Sequence, residues 1–307
     1  MKLTGKKAFI IGFVLHALVL CVLIFTATMV FGKPSTEQEL DALLIDVSIP
    51  ENFKAKRVVS LGPAATEIMF AINAQDKLVG RTDLCNYPLE SQSVPSVGGF
   101  NGQSISLEAI VDKKPDLVIL YAGMHDYLVK SLLQSGIKVF TSDANSIEQV
   151  EKEILEIGKI TDRKKEAEAA VESMRKKLSE VKAGLLENSA LREKKVFWQV
   201  YDEPLMTVGN SSFINDIIEN AGGKNIFDDI DQAYPVINME EVIKRQPEFF
   251  VCVQNYSKQT DEEIKKRFGV EKIILINPQD EDIYVRPGPR CVEAVEKLAD
   301  VLWNEKD

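Results

Sequence analysis

Few residues of this chain have the chemistry needed for catalysis or metal binding. Its 307 residues include two histidines, His16 and His125, whereas zinc and manganese sites need several nitrogen, sulfur or carboxylate ligands. A Ser-His-Asp triad would have to use His125, because His16 lies in an apolar N-terminal stretch. His125 follows a predicted strand, and a single loop histidine is more typical of a surface position than of an axial metal ligand. The sequence therefore favours a binding protein over an enzyme and predicts no metal site and no cofactor.

Two stretches with the same arrangement each contain a carboxylate near the start of a predicted helix. They are SLEAIVDKKPDLVIL, residues 106–120, and NMEEVIKRQPEFFVC, residues 238–252. Each has a Ser or Asn able to cap a helix, a glutamate in the first turn (Glu108 or Glu240), a short amphipathic run, a proline and an apolar strand. The copies lie about 130 residues apart, whereas repeat arrays recur every 20–50 residues or so. Two similar lobes are therefore predicted.

The surrounding patterns place these units in an α/β protein. From Arg57 onward, short apolar strands alternate with amphipathic helices, which is typical of parallel sheets flanked by helices. Residues 161–190 contain no proline and are rich in Lys and Glu, with apolar residues at helical spacing, so a helix about 40 Å long is predicted there. The sequence predicts two Rossmann-like lobes, residues 57–160 and 191–307, joined by this single long helix.

The N-terminal part of the chain differs from this body. Residues 1–32 begin with MKLTGKK and are then largely apolar over positions 8–31, which predicts a signal peptide or a membrane anchor. Residues 33–56 form a predicted acidic spacer, and the body is expected outside the cytoplasm, tethered through residues 8–31 where the segment is retained. The formal net charge of −10 and the lack of a basic stretch argue against nucleic acid as a partner. No dinucleotide fingerprint or P-loop follows a predicted strand.

The order of several short motifs resembles a known class of transport proteins. Along the chain they are SLGPAATEIMFA, CNYP, VGGF, SLEAIVDKKPDLVI, the long helix, GGKNIF, MEEVIKRQPE and RPGPR. This order is similar to that of the helix-linked substrate-binding proteins of ABC importers, above all those that bind cobalamin. The resemblance covers the chain from about Arg57 onward. It implies a monomeric carrier that delivers its ligand to a dimeric membrane permease.

The resemblance gives the two first-turn glutamates a further role. In the family, each lobe presents one carboxylate at a helix start, and these carboxylates bind arginines of the two permease subunits. Glu108 and Glu240 occupy those positions here. The alternative is that each glutamate only complements its helix dipole, an effect of roughly 0.3–1 kcal/mol. A matched pair on two similar lobes favours docking.

The resemblance also implies a ligand cleft between the two lobes that binds a corrinoid. Aromatic loop residues would form flat walls for a large planar ligand, and an Asp and an Arg would hydrogen-bond its amide side chains. Phe100, Tyr121 and Tyr234 stand where enterobacterial cobalamin-binding members have tryptophan, and Met206 stands where they have phenylalanine. Ferric siderophores and haem are alternative ligands on the same scaffold. An enzyme that processes a metallocofactor is a less favoured alternative. Arg290 is expected to anchor the final helix and not to contact the ligand. The predicted ligand residues are Tyr87, Phe100, Tyr121, Met206, Tyr234, Asp282 and Arg286.

Overall fold

The computed structural model describes residues 49–100, 104–187, 193–254 and 259–303. The predicted signal or anchor over residues 1–32 lies outside these ranges, as does the predicted spacer up to residue 48. Within the described part of the chain, no helix is both long enough and apolar enough to cross a membrane.

The N-terminal lobe is a parallel sheet with helices on its faces. Its elements are β1 (Val58–Ser60), α1 (Pro63–Ala71), β2 (Leu78–Arg81), α2 (Leu107–Asp112), β3 (Leu117–Tyr121), α3 (Asp126–Gln134), β4 (Lys138–Ser142) and α4 (Ile147–Ile160). The strand order is β2-β1-β3-β4, and these pairings are parallel. The first four residues of β3 are buried, as expected for a central strand covered by helices on both faces.

The C-terminal lobe contains a second sheet, which is mixed. The chain continues with α5 (Lys164–Glu187), β5 (Lys194–Tyr201), β6 (Met206–Thr207), α6 (Phe213–Asn220), β7 (Gly223–Asn225), α7 (Met239–Arg245), β8 (Phe249–Val253), α8 (Asp261–Phe268), β9 (Lys272–Ile276), α9 (Glu281–Val285) and α10 (Cys291–Trp303). The strand order is β6-β5-β8-β9, with β7 also paired to β5. Only β6 runs antiparallel to its neighbour among the described strands. Strand β8 is buried along its whole length, like most of β3.

Helix α5 packs against both lobes. It has 24 residues, so it is about 36 Å long at 1.5 Å per residue. It contacts α4 in the N-terminal lobe and α10 in the C-terminal lobe. Val171 and Met174 of α5 belong to one hydrophobic cluster that also includes Met69 of α1 and Val295 of α10. The two lobes therefore share part of their core through this helix.

The lobes also meet directly at the start of α4. The Asp216 carboxylate, on α6, accepts a hydrogen bond from the backbone N–H of Ile147 (2.7 Å). Burial raises the pKa of Asp216, although this hydrogen bond works in the opposite direction. A side chain of one lobe thus caps a helix of the other.

The two copies of the repeated stretch form equivalent helix-to-strand units. Ser106 caps α2 by accepting from the N–H of Ala109 (3.1 Å), and Asn238 caps α7 by accepting from the N–H of Glu241 (2.9 Å). The strands that follow are β3 and β8, one in each sheet. The predicted α/β fold, with two Rossmann-like lobes and one long connecting helix, is confirmed. The lobe boundaries at residues 57–160, 161–190 and 191–307 stay predictions.

Candidate functional site

A cavity of about 270 Å³ opens between the carboxyl edge of the N-terminal sheet and α9. In the strand order β2-β1-β3-β4, β1 and β3 are neighbours. The chain leaves β1 toward β2 at one edge of the sheet and leaves β3 toward β4 at the other edge. Open α/β sheets bind ligands at such a point. The wall from the N-terminal lobe includes residues 62–65, Phe100 and Tyr121, and the wall from the C-terminal lobe includes Asp282 and Arg286. The cavity therefore lies in a cleft between the two lobes.

The N-terminal wall is a pair of aromatic rings supported by a buried histidine. The ring centroids of Phe100 and Tyr121 are 6.3 Å apart, and the His125 ring meets the Phe100 ring edge-to-face at 5.3 Å. His125 Nδ1 accepts from the backbone N–H of Tyr121 (3.1 Å), so Nε2 carries the proton and donates to the Phe100 carbonyl (2.7 Å). The expectation of a surface position for His125 is wrong. The residue is fully buried, and burial lowers its pKa.

A buried carboxylate lies behind Tyr121. Glu153 accepts hydrogen bonds from the Ser142 hydroxyl (2.6 Å) and from the backbone N–H groups of Asp143 (2.8 Å) and Ala144 (3.0 Å). Burial raises the pKa of Glu153 in spite of these bonds. Burial also raises the pKa of Tyr121, and the charge of Glu153 adds to the effect. Tyr121 therefore offers a neutral phenol that can donate or accept, and not a phenolate.

Tyr234 and Met206 lie together on the C-terminal lobe. The loop that carries Tyr234 forms a β-bridge with β6, whose first residue is Met206. Gly209 permits this close approach, because a Cβ at that position would collide with the carbonyl oxygen of Gln232. Burial raises the pKa of Tyr234, and the neighbouring Tyr121 raises it further. Tyr234 of the C-terminal lobe therefore lies near enough to Tyr121 of the N-terminal lobe for the charge of Tyr121 to affect it.

Four charged side chains from the two lobes form a cluster beside the cavity, called here the ion cluster: Glu67, Asp282, Arg286 and Arg290. Arg290 donates two hydrogen bonds to the Glu67 carboxylate, at 2.8 Å from Nε and 2.7 Å from Nη2. Arg286 binds Glu67 through Nη1 (3.0 Å) and Asp282 through Nη2 (2.8 Å). The Glu67 side chain is only 3% exposed. Burial opposes the charge of Arg290, but the hydrogen bond and charge of Glu67 outweigh burial and raise the pKa of Arg290.

The ion cluster also holds the loop that follows β2. Arg286 Nη1 donates to the side-chain oxygen of Asn86 (2.8 Å). The Arg290 guanidinium lies 3.7 Å from the centroid of the Tyr87 ring, a cation–π contact. Tyr87 is 45% exposed. Tyr87 thus lies on the ion cluster at the rim of the cleft, and Arg290 ties the chain just before α10 to the N-terminal lobe.

The predicted ligand residues fall into two groups. Those that line the cavity are Phe100, Tyr121, Asp282 and Arg286. Tyr87, Met206 and Tyr234 are not among the described residues that line the cavity. The sequence interpretation missed Glu67 and Glu153. The available signal for Glu67 was a charged residue inside the apolar run TEIMFA, because a buried charge requires a partner.

The first-turn glutamates of the repeat occupy equivalent positions. Glu108 is the second residue of α2 and Glu240 is the second residue of α7, and both are exposed. Each helix leads into a strand of its sheet, so its start lies toward the carboxyl edge of that sheet, where α/β clefts form. The second residues of α4 and α8 are also glutamates, Glu148 and Glu262. Position in the helix alone therefore does not separate docking from a helix-dipole role.

Comparison with known proteins identifies the family. Residues 58–273 match the family described as periplasmic binding protein. An ABC transporter substrate-binding lipoprotein of Bacillus subtilis is 31% identical over 275 residues, covering 86% of this chain and 85% of its own. A vitamin B12-binding protein of Salmonella typhi is 30% identical over 264 residues, covering 86% of this chain and 96% of its own. The crystal structure of the periplasmic vitamin B12-binding protein of Vibrio cholerae gives a TM-score of 0.69 at 24% identity, over 81% of this chain and 97% of that one.

The chain belongs to the periplasmic binding protein family. Members of this family carry substrates for transport and are not enzymes, so this chain is a carrier of a transported ligand. The chain is the substrate-binding protein of an ABC importer, it works with a membrane permease, and it acts outside the cytoplasm. The structural similarity to the Vibrio cholerae protein, at 24% identity, establishes the two-lobed fold. The choice of ligand depends on the chemistry of the cleft.

Proposed function

We propose that this carrier binds cobalamin or a related corrinoid between its lobes and delivers it to the permease. The observation that carries the proposal is the charge balance at the cavity. Among the described lining residues of the cavity, the cationic one is Arg286. It is paired with both Glu67 and Asp282. Relatives at 27–31% identity that are vitamin B12-binding proteins support the same choice.

The charge balance favours an uncharged, amide-rich ligand. The rim of a corrin ring carries amide side chains, which need hydrogen-bond donors and acceptors but no counter-charge. The neutral hydroxyls of Tyr121 and Tyr234 can donate or accept, and the Asp282 carboxylate can accept. Haem carries two carboxylates and many siderophores are anionic, and placing an anion in a site whose cations are already paired is costly.

The shape of the cleft suits one edge of a large flat ligand. The rings of Phe100 and Tyr121, tilted by 40° to one another, provide an apolar wall from the N-terminal lobe. Met206 and Tyr234 of the C-terminal lobe lie outside the described cavity lining, where a ligand that extends beyond the cavity would meet them. The cavity volume of about 270 Å³ is just below the range of roughly 300–1,000 Å³ typical of small-molecule pockets. A corrinoid would therefore enter by one edge and extend over the rim at Tyr87.

Haem is the alternative with an observation in its favour. The Tyr87 ring is 45% exposed at the rim, next to the Arg290 guanidinium, and tyrosine is able to ligate haem iron. His125 does not offer an axial ligand, because both of its ring nitrogens hydrogen-bond to the backbone. A ferric siderophore would use the same aromatic walls.

Titration of the purified protein with cyanocobalamin, haemin and a set of ferric siderophores tests the proposal. We expect saturable one-to-one binding of cyanocobalamin, seen by calorimetry, with recovery of unchanged ligand. Tyr121→Ala should raise the Kd about tenfold or more, because it removes a ring and a hydroxyl from the wall. The matched control Tyr127→Ala removes a tyrosine that is 50% exposed on α3 and should leave the Kd unchanged. Tight binding of haemin or a siderophore without binding of cyanocobalamin would refute the proposal.

Docking and export complete the proposed function. Glu108 and Glu240 are proposed to bind arginines of the two permease subunits, since each lobe exposes one of them at an equivalent helix start. A monomeric carrier with one carboxylate on each lobe suits a permease built of two subunits. Residues 8–31 are proposed as the export signal or membrane anchor.

A further inference from the structure

The ion cluster determines the net charge at one wall of the cleft. Its two carboxylates, Glu67 and Asp282, balance its two guanidiniums, Arg286 and Arg290. Glu67 is the shared partner, because it accepts from both arginines at 2.7–3.0 Å. Without the Glu67 charge, the cluster would carry a net positive charge beside the cavity.

Glu67 lies outside the described cavity lining but affects its charge through a hydrogen bond to Arg286. Glu67 is 3% exposed, so solvent screens its charge weakly. Arg286 lines the cavity, with its side chain 12% exposed, and is thus placed to meet a ligand. Asp282, also in the lining, is 35% exposed. An Arg286 that keeps its hydrogen bonds to both carboxylates offers little free charge to a ligand.

We propose that Glu67 is a specificity-determining residue: by neutralising Arg286 and Arg290, it makes the cleft accept an uncharged ligand rimmed with amides and disfavour a carboxylate-bearing ligand of the same shape. This inference rests on the proposed corrinoid function and adds the residue that sets its selectivity. Glu67 acts through the arginines and need not touch the ligand. It is a positioning residue, and its effect is electrostatic.

A charge series in the protein against a charge series in the ligand tests the inference. The variants are Glu67→Gln, Asp282→Asn and the double substitution, which raise the charge of the ion cluster by one, one and two units. The ligands are cyanocobalamin and its mono- and dicarboxylic acid derivatives, in which peripheral amides are hydrolysed while the ring is unchanged. The readout is the ratio of Kd values, acid over amide, at low and high salt.

We expect each added positive charge to lower this ratio about tenfold at low salt, a change of about 1.4 kcal/mol, and we expect high salt to reduce the effect. The matched control is Glu151→Gln, because Glu151 is also a buried carboxylate paired with an arginine, Arg175 at 2.8 Å, but lies on α4 outside the described cavity lining. It should leave the ratio unchanged. Near-ultraviolet circular dichroism checks that each variant is folded. Should Glu67→Gln fail to fold, Asp282→Asn carries the test, because its more exposed carboxylate is less costly to remove.

The outcomes separate this inference from the proposed function. A wild type that binds cyanocobalamin, together with folded variants whose acid-to-amide ratio does not fall, overturns the role of Glu67 and leaves the corrinoid function standing. A wild type that binds haemin and not cyanocobalamin overturns the corrinoid function. The inference falls with it, because a wild type that prefers a dicarboxylate ligand contradicts the selectivity assigned to Glu67. Proteins that all bind neither ligand overturn both.

Discussion

Removal of the first-turn carboxylates of α2 and α7 should separate docking from ligand capture. Glu108 and Glu240 are exposed and lie outside the described lining of the cavity, so Glu108→Ala, Glu240→Ala and the double substitution should leave the Kd for the ligand unchanged. The capping residues Ser106 and Asn238 are retained. Both helices therefore keep their starts.

The expected stability loss is small compared with the expected docking loss. Each substitution removes a charge–dipole interaction of roughly 0.3–1 kcal/mol, so the pair costs about 0.6–2 kcal/mol. A folded domain is typically stable by roughly 5–15 kcal/mol, and the Tm should fall by about 1–8 °C. Loss of one partner of an ion pair that is buried on docking costs about 2–5 kcal/mol. Each single variant should therefore bind the permease at least about thirtyfold less tightly, and the double variant more weakly still.

Ligand uptake by vesicles containing the reconstituted permease measures the effect. The matched controls are Glu148→Ala and Glu262→Ala, which remove glutamates from the same second position of α4 and α8. We expect the double variant to bind ligand normally but not to support uptake, while the controls support uptake at the wild-type rate. Wild-type uptake by the double variant would refute docking and reduce Glu108 and Glu240 to helix-dipole residues. Equal loss in the controls would refute it as well.

Three further predictions follow from the fold and the site. Burial lowers the pKa of His125, so the unfolded chain binds a proton at this residue more readily than the folded protein does. The free energy of unfolding should therefore fall as the pH drops below about 6.5. Denaturant titrations should show a smaller fall for His125→Asn. Gly209→Ala should lower the Tm by several degrees and weaken ligand binding, because its Cβ meets backbone carbonyls, whereas Gly184→Ala, in open space on α5, should raise stability by about 0.5–1 kcal/mol. Small-angle scattering should show little ligand-dependent contraction, since α5 packs against both lobes; a large contraction would contradict a rigid frame.

Local patterns in the sequence were sufficient to predict the repeated units. A cap residue, a first-turn glutamate and a following apolar strand lie within fifteen residues of each other in both copies, and the caps of Ser106 and Asn238 form as such patterns predict. The long helix was predictable for the same reason, because its spacing and its lack of proline are properties of one continuous segment. Phe100 and Tyr121 were predictable as cleft residues through the resemblance to related carriers.

The interactions that shape the cleft were not predictable, because they join distant parts of the chain. Glu67 and Arg290 are 223 residues apart, and nothing near either residue indicates the other. The interpretation of His125 was wrong for a similar reason. Its burial depends on the loop segment that contains Phe100, 25 residues earlier, which packs against the histidine ring. Partners brought together by tertiary folding leave no local periodicity in the sequence.

The length of helix α5 determines the relative position of the two lobes. Each residue added to or removed from a helix moves everything beyond it by about 1.5 Å and turns it by about 100°. Because α5 packs against both lobes, a change in its length would shift one lobe against the other and alter both the width of the cleft and the spacing between Glu108 and Glu240. Substitutions on the solvent face of α5 should be tolerated. If Glu108 and Glu240 dock as proposed, insertions and deletions within α5 should impair uptake even where ligand binding is retained.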